Sequence, residues 1–227
     1  MKTLTKLTLI TFLFAASSVN AFAAGMKPEH PVLFIDDKVR EATINVENTE
    51  ESSALLHSSL QTIPEEGENK LIITPQLARV EPGKKQQVRV LLKEGVKLTH
   101  QTLQRINFIA VPADDGEKNR VRVTVGQNIP VILSPASLPV NTTPWKGLKA
   151  RRTQGTIILE NPTPWLVRLT TQAEALPGNQ RVTLPKTYIL PQETLTLALP
   201  ASSGVRSLQL HPVTRFGILT SPWQLDL

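Results

Sequence analysis

Short runs of alternating apolar and polar residues, separated by prolines, constrain the fold of this chain more than any other feature. The clearest pair is INFIA at 106–110 and VRVTV at 121–125, with Asp115-Gly116 between them. A period of two is typical of a strand with one buried face, and an Asp-Gly pair between two such runs is typical of a hairpin turn. The stretch therefore predicts an antiparallel β-hairpin.

Comparable runs recur along the chain at intervals of about 10 to 20 residues, and no long stretch has the helical period of about 3.6 residues. The predicted strands of the first half are Ala42–Val46, Leu55–Gln61, Lys70–Thr74, Gln87–Leu92, Ile106–Val111 and Val121–Val125. Those of the second half are Thr156–Glu160, Trp165–Thr171, Arg181–Leu184, Thr194–Leu199, Ser207–Leu210 and Trp223–Leu227. Many short strands with turns between them predict an all-β sandwich architecture.

The proline-rich segment SPASLPVNTTP, at 134–144, separates the two series of predicted strands. We interpret its first part, Ser134–Pro139, as a linker, because exposed proline-rich segments are typical of domain boundaries. The chain length suits two small domains. We therefore predict an N-terminal domain over 24–135 and a C-terminal domain over 136–227.

The N-terminus has the three parts of a secretory signal peptide. Lys2 and Lys6 make it positive, 7–16 is an apolar run, and AFA at 21–23 is a small-residue cleavage pattern. The apolar run has about half of the roughly 20 residues that a membrane span needs. We therefore predict that residues 1–23 are removed near Ala23 and that the mature chain is exported without being embedded in a membrane.

Composition excludes several classes of function. Loss of the signal peptide takes Lys plus Arg from 25 to 23 against 19 acidic residues, so the formal net charge falls from +6 to +4. The basic residues are dispersed and aromatic residues make up 4% of the chain, whereas nucleic-acid surfaces need clustered charge and stacking rings. Cysteine is absent, which excludes disulfides, thiol catalysis and thiolate metal sites.

No catalytic or metal-binding motif stands out. The histidines lie far apart in sequence, at His30, His57, His100 and His211. No HExxH motif, nucleophile elbow or glycine-rich phosphate loop is present. The acidic pairs at 36–37 and 114–115 are explained by solvated turns. We therefore predict no catalytic residue, no metal and no cofactor, and an enzyme would need a site assembled from scattered residues.

Three stretches, taken in order, carry a resemblance to a known family. The first is TPQLARVEPG at 74–83, followed by QVRV at 87–90, and the second is LENPTPW at 159–165. The third is the predicted hairpin at 106–125. The chain resembles the periplasmic pilus (fimbrial) chaperones of the chaperone–usher family, over nearly its whole mature length. In that family, the hairpin corresponds to the F and G strands of the first domain.

The resemblance implies two immunoglobulin-like β-sandwich domains in an L-shaped arrangement, in a periplasmic protein that is not an enzyme. It implies that the chain binds a pilus subunit one to one, lends its G strand to the subunit's open groove and delivers the subunit to an outer-membrane usher. The G-strand residues assigned to the subunit are Val121, Val123, Val125 and Ile129. A free G strand also predicts self-association.

The residues that hold the subunit's C-terminal carboxylate in that family do not carry over. The family uses an Arg on the first strand and a Lys on the G strand, a pairing suited to a carboxylate. In this chain Pro130 occupies the Lys position, and His30–Val32, near the Arg position, contains no Arg. His30 could stand in only weakly, because it is at most half charged above its ordinary pKa of about 6.5. Between the domains, Gln101 lies where an acid is expected, and no acid aligns at 214–216.

Three explanations fit these departures. The chain is a divergent chaperone that relies on strand addition alone, or its subunits end differently, or it is another kind of periplasmic binding protein. A structural fibre subunit or adhesin is an alternative from a different class, although two domains without cysteine argue against it. An exported enzyme would require a cleft with perturbed acids or histidines. The connection at 112–119 is short, which in the family accompanies rod-like or tip-bearing pili.

Overall fold

The computed structural model describes residues 25–112, 126–153, 155–199 and 204–227. The strands of the first half are β1 (Met26–Pro28), β2 (Leu33–Asp36), β3 (Glu41–Asn48), β4 (Ala54–Gln61), β5 (Leu71–Thr74), β6 (Leu77–Val80), β7 (Lys85–Leu92), β8 (Thr102–Pro112) and β9 (Gly126–Ser134). After a turn of 3-10 helix (Pro144–Gly147) come β10 (Lys149–Thr153), β11 (Thr156–Glu160), β12 (Val167–Leu176), β13 (Gln180–Thr183), β14 (Tyr188–Ile189), β15 (Thr194–Ala198), β16 (Ser207–Pro212) and β17 (Trp223–Asp226). The predicted all-β class is confirmed.

The first half of the chain is a sandwich of two sheets around one core. One sheet has the order β1-β3-β7-β5 and the other β2-β9-β8-β4-β6. The alternation predicted at 106–110 is present, because Ile106, Phe108 and Ala110 are at most 2% exposed and lie in the core. β8 and β9 pair antiparallel from Thr102↔Leu133 to Ile109↔Gly126. The predicted hairpin partner at 121–125 and the Asp-Gly turn lie outside the described residues.

The second half forms another sandwich with its own core. One sheet has the order β10-β11-β15, and the other has the order β13-β12-β16-β17 with β14 added to β12. The predicted strand at 165–171 is displaced, because β12 begins at Val167 and continues to Leu176. Its extension carries Ala173 and Ala175, which are fully buried and pair with Leu210 and Leu208 of the neighbouring strand β16. Alanine gives only a faint apolar signal, so the pattern alone did not show this part of the strand.

Several short strands were not predicted, namely β1, β2, β6, β10 and β14. β2 is the important one for function, because it pairs parallel with the end of β9 from Leu33↔Val131 to Asp36↔Ser134. A parallel pair between segments about a hundred residues apart leaves no local turn signal in the sequence. The sequence shows the apolar run at 32–35, but it does not show that this run pairs with β9.

The two cores are separate and lie on either side of the proline-rich segment. The first draws its buried residues from Met26 to Leu133 and the second from Trp145 to Leu225. The boundary between 135 and 136 stays a prediction, as does the removal of residues 1–23. In the described ranges, no helix has the length and apolar character to cross a bilayer.

Candidate functional site

β9 presents an open edge over its first five residues. On one side it pairs with β8 from Gly126 to Leu133. On the other side, the pairing with β2 starts only at Val131 of β9, so 126–130 have no neighbouring strand there among the described residues. An open strand edge offers unpaired backbone N–H and C=O groups, which can pair with a strand from another protein. This edge is therefore a candidate docking site for an extended segment.

Pro130 lies at the last position before β2 begins to cover β9. It is buried and stands opposite Arg105 of β8. Proline has no backbone N–H, so it is tolerated at a strand edge and not inside a fully paired ladder. Pro130 therefore interrupts the sequence pattern at the point where β9 changes from one neighbouring strand, β8, to two, β8 and β2.

Of the four predicted subunit-binding residues, one lies in the described ranges. Val121, Val123 and Val125 lie outside them. The side chain of Ile129 is 5% exposed and packs in the core of its own domain, opposite Ile106. The assignment of all four to a bound subunit stays a prediction. In the free chain, Ile129 completes the domain core.

His30, proposed as a weak substitute for a missing cation, lies between β1 and β2. Its side chain is 61% exposed, and Nε2 is 3.7 Å from Oε1 of Glu29. It does not line the cavity between the domains that is described below. Its role as a carboxylate anchor stays a prediction that this geometry does not favour.

The domains meet through an apolar cluster and one bridging amide. The cluster comprises Val32, Ile63, Leu103, Ile132, Leu166 and Leu190. Beside it, the backbone N–H of Gln101 donates to the carbonyl of Pro164, and its side-chain Oε1 accepts from the N–H of Leu166, both at 2.9 Å. Gln101 stands where an acid was expected, and it joins the domains with neutral hydrogen bonds to backbone instead.

A charged cluster closes one side of this interface. Lys186 of the second domain makes ion pairs with Glu65 of the first domain and with Glu193. The hydroxyl of Tyr188 donates to Oε2 of Glu65 at 2.9 Å. Burial alone would raise the pKa of Glu65, but the hydrogen bonds from Lys186 and Tyr188 outweigh it and hold that pKa below its usual value. Burial and then the bond to Glu65 raise the pKa of Tyr188 well above its usual value.

We expect Glu65→Gln to lower the free energy of unfolding by about 1 to 2 kcal/mol near pH 7, since it removes a charge-assisted contact. Because the pKa of Glu65 is lower in the folded state than in the unfolded state, its carboxylate stabilises the fold at pH values above the unfolded pKa of about 4.3. This contribution to the free energy of unfolding is lost as the pH falls through the folded-state pKa. The gap between wild type and variant should therefore shrink below about pH 4. Urea unfolding at several pH values measures it, with the exposed Glu94→Gln as control. A gap that does not change with pH would contradict the assignment.

On another side of the interface, a cavity of about 250 Å³ opens between the domains. Its first-domain and linker walls include Phe34, Ile132, 134–136 and 138–141, and its second-domain walls include two cations, Arg168 and Arg215. The resemblance predicts an acid at 214–216, and the cation Arg215 stands there instead. No local sequence pattern could have shown that β2, β12 and the segment after β16 lie around one cavity.

The family comparison covers both domains. Residues 25–139 match the model of the "Pili and flagellar-assembly chaperone, PapD N-terminal domain", and residues 143–224 match "Pili assembly chaperone PapD, C-terminal domain". The fimbrial chaperone YhcA of Escherichia coli (strain K12) is 37% identical over 220 residues, which cover 96% of this chain and 98% of that protein. The chaperone protein FimC of the same strain is 25% identical over 196 residues, which cover 83% and 78%.

Solved structures agree on the fold. One is the Salmonella enterica SafA pilin in complex with the SafB chaperone, with a TM-score of 0.74, 22% identity and coverage of 92% of this chain and 99% of that chain. Another is the E. coli chaperone DraB, with a TM-score of 0.73, 19% identity and coverage of 90% and 99%. These likenesses confirm two immunoglobulin-like sandwiches. The chain belongs to the PapD family of pilus assembly chaperones, a periplasmic family whose members are not enzymes.

Proposed function

We propose that this chain caps a pilus subunit in the periplasm by donor-strand complementation and then delivers it to an outer-membrane usher. The open edge of β9 at 126–130 is the observation that carries the proposal. A subunit with an incomplete sandwich has unpaired backbone groups and an apolar slot, both of which favour aggregation. A borrowed strand satisfies the backbone groups and fills the slot.

The side chains of the donated strand follow from the alternation of β9. Ile129, Val131 and Leu133 all face the core of their own domain. Because alternate residues of a strand share a face, Val121, Val123 and Val125 would resume this apolar row beyond the exposed Gln127, past the end of that core. In this proposal Ile129 lies at the junction, where the row passes from the chaperone's own core to the slot of the subunit.

Export and release complete the proposal. The signal peptide at 1–23 would direct the chain across the inner membrane, with cleavage near Ala23. The subunit would leave when a better-fitting strand of another subunit replaces the borrowed one at the usher. That exchange needs no nucleotide, which agrees with the absence of a phosphate-binding loop from the sequence.

Co-expression tests the proposal. We would produce a pilus subunit from the same gene cluster in the periplasm, with and without the tagged chain, and measure the mass of the purified complex by light scattering. We expect soluble subunit only with the chain present, at a ratio of one to one. The free chain, measured alone, reports any self-association through β9. A subunit yield that does not depend on the chain would overturn the proposed function.

A further inference from the structure

Three side-chain amides form a hydrogen-bonded row across the outer face of the first-domain sheet, beside its open edge. They belong to Gln61 of β4, Asn107 of β8 and Asn128 of β9, and we call them the amide ladder. Nδ2 of Asn128 donates to Oδ1 of Asn107 at 2.5 Å and to Oε1 of Gln61 at 2.7 Å. Nδ2 of Asn107 also donates to Oε1 of Gln61, at 3.4 Å. The ladder therefore ties the open-edge strand to the two strands behind it.

Arg105 of β8 bonds to Asn128 as well. Its Nε donates to Oδ1 of Asn128, and its Nη2 donates to the backbone carbonyl of the same residue at 3.2 Å. Hydrogen bonds from a guanidinium are charge-assisted and stronger than those between neutral groups. Asn128 is an exposed residue, and yet both ends of its side-chain amide and its backbone carbonyl are engaged within its own sheet.

The backbone of Asn128 lies where a docking strand can reach it. In a regular antiparallel pair, a residue either exchanges both backbone bonds with the residue opposite or points both groups to its other side. Pro130 has no N–H and cannot exchange two bonds with Arg105, the residue opposite. Its backbone groups therefore point away from β8, and so do those of Asn128, two residues earlier. Gln127 and Ile129 have the opposite direction and bond to β8.

We propose that the amide ladder and Arg105 position the open edge, holding the backbone N–H and carbonyl of Asn128 extended for a strand of the subunit. The inference rests on the proposed function. An end of a strand with one neighbour opens easily, and the ladder opposes that opening. Ordering a segment at the moment of binding costs conformational entropy, which a segment that is already ordered avoids. A carbonyl oxygen has two lone pairs, so the bond from Arg105 leaves one for the docking strand.

Strand preference alone does not explain the residues of the ladder. Asparagine is depleted in strands, and yet Asn107 and Asn128 stand directly opposite each other on β8 and β9. Side chains of opposite residues are closest in pairs that do not exchange backbone bonds, as Asn107 and Asn128 do not. The hydrogen bonds of the side chains, and not the preference of the backbone, therefore hold this end of β9.

The first test measures local opening in the free mature chain. Hydrogen exchange is followed by NMR at the amides of Gln127 and Ile129, which bond to β8. We expect exchange to be faster by about tenfold in Asn128→Thr and about threefold in Gln61→Ala, which removes fewer bonds. Because the ladder acts as a unit, the double variant should exchange like Asn128→Thr alone.

Threonine makes this test decisive, because it has a higher strand preference than asparagine. If strand preference set the order of β9, Asn128→Thr would slow the exchange instead of speeding it. Gln87→Ala, at an exposed position of β7 in the other sheet, is the control and should exchange like wild type. Unchanged or slower exchange in Asn128→Thr would overturn the inference.

The second test measures subunit binding by the same variants. The chain is immobilised, a pilus subunit freshly diluted from urea is added, and the rates of association and dissociation are recorded. Gln61 belongs to β4, two strands behind the open edge. We expect association to slow about threefold in Gln61→Ala and about tenfold in Asn128→Thr, because only a chain with an ordered edge binds. Dissociation should stay within about twofold of wild type, since the ladder bonds lie within the chain itself.

The outcomes separate this inference from the proposed function. If exchange becomes faster while association keeps the wild-type rate, the ladder only stabilises the sheet, so the inference is wrong and the proposed function stands. Faster dissociation with unchanged association would show that the ladder side chains contact the subunit directly, which also contradicts a positioning role. If wild type binds no subunit at all, the proposed function fails, and the role of the ladder in docking fails with it.

Discussion

A Val123→Asp variant should fold like wild type and yet fail to retain a pilus subunit. Val123 is the middle residue of the row VRVTV, which we propose enters the subunit's apolar slot. An unpaired charge in such a slot costs several kcal/mol, and about 3 kcal/mol already weakens binding more than a hundredfold. Periplasmic co-purification with the subunit measures the loss, and thermal unfolding of the free variant shows that the fold is kept.

Thr124→Asp is the matched control for this experiment. It places the same charge one residue further along, on the opposite face of a strand with a period of two. We expect Thr124→Asp to retain the subunit nearly as well as wild type. Equal loss at Val123 and Thr124 would indicate a general effect of negative charge, and equal retention would show that these valines do not enter the subunit.

Asn161→Ala should cause the largest loss of stability among single polar substitutions, about 3 to 4 kcal/mol in the second domain, because it removes several buried hydrogen bonds at once. Asn161 is fully buried. Its Nδ2 donates to the carbonyls of Trp165, Ile189 and Leu190, at 2.8, 3.3 and 3.1 Å. Its Oδ1 accepts from the backbone N–H of Thr163 at 3.2 Å and from its Oγ1 at 2.6 Å. The alanine variant would remove all of these bonds, and two of the carbonyls would keep one longer bond each, Leu190 from the N–H of Glu193 at 3.2 Å and Trp165 from Oγ1 of Thr163 at 3.4 Å.

Tryptophan fluorescence during urea unfolding can follow the second domain alone, because all three tryptophans, Trp145, Trp165 and Trp223, lie in it. This matters because a two-domain chain need not unfold in one step. Asn141→Ala is the control, since the side chain of Asn141 is half-buried and accepts one bond, from the N–H of Thr143. We expect it to cost about 1 kcal/mol or less. A loss at Asn161 no larger than this would contradict the network.

The NPTPW stretch shows how a motif can identify a family before its physical role is known. In the sequence, these residues indicate only the resemblance to the family. The structure shows that Asn161 ties the end of β11 to the carbonyls of Trp165 and of β14. This role could not be read from the sequence, because β14 has two residues and its contact with Asn161 spans 28 positions.

The sequence by itself determined the strands whose alternation is strong, the division into two cores, and the break in strand pairing that Pro130 imposes at the end of the open edge. These follow from local properties, since a period of two and the missing N–H of Pro130 act within a few residues. Only the tertiary structure decided that β2 covers β9 from Val131 onward and that Arg168 and Arg215 meet at one cavity. Strand pairing and domain contact join residues far apart in the chain, and the pattern around each residue does not encode its distant partner.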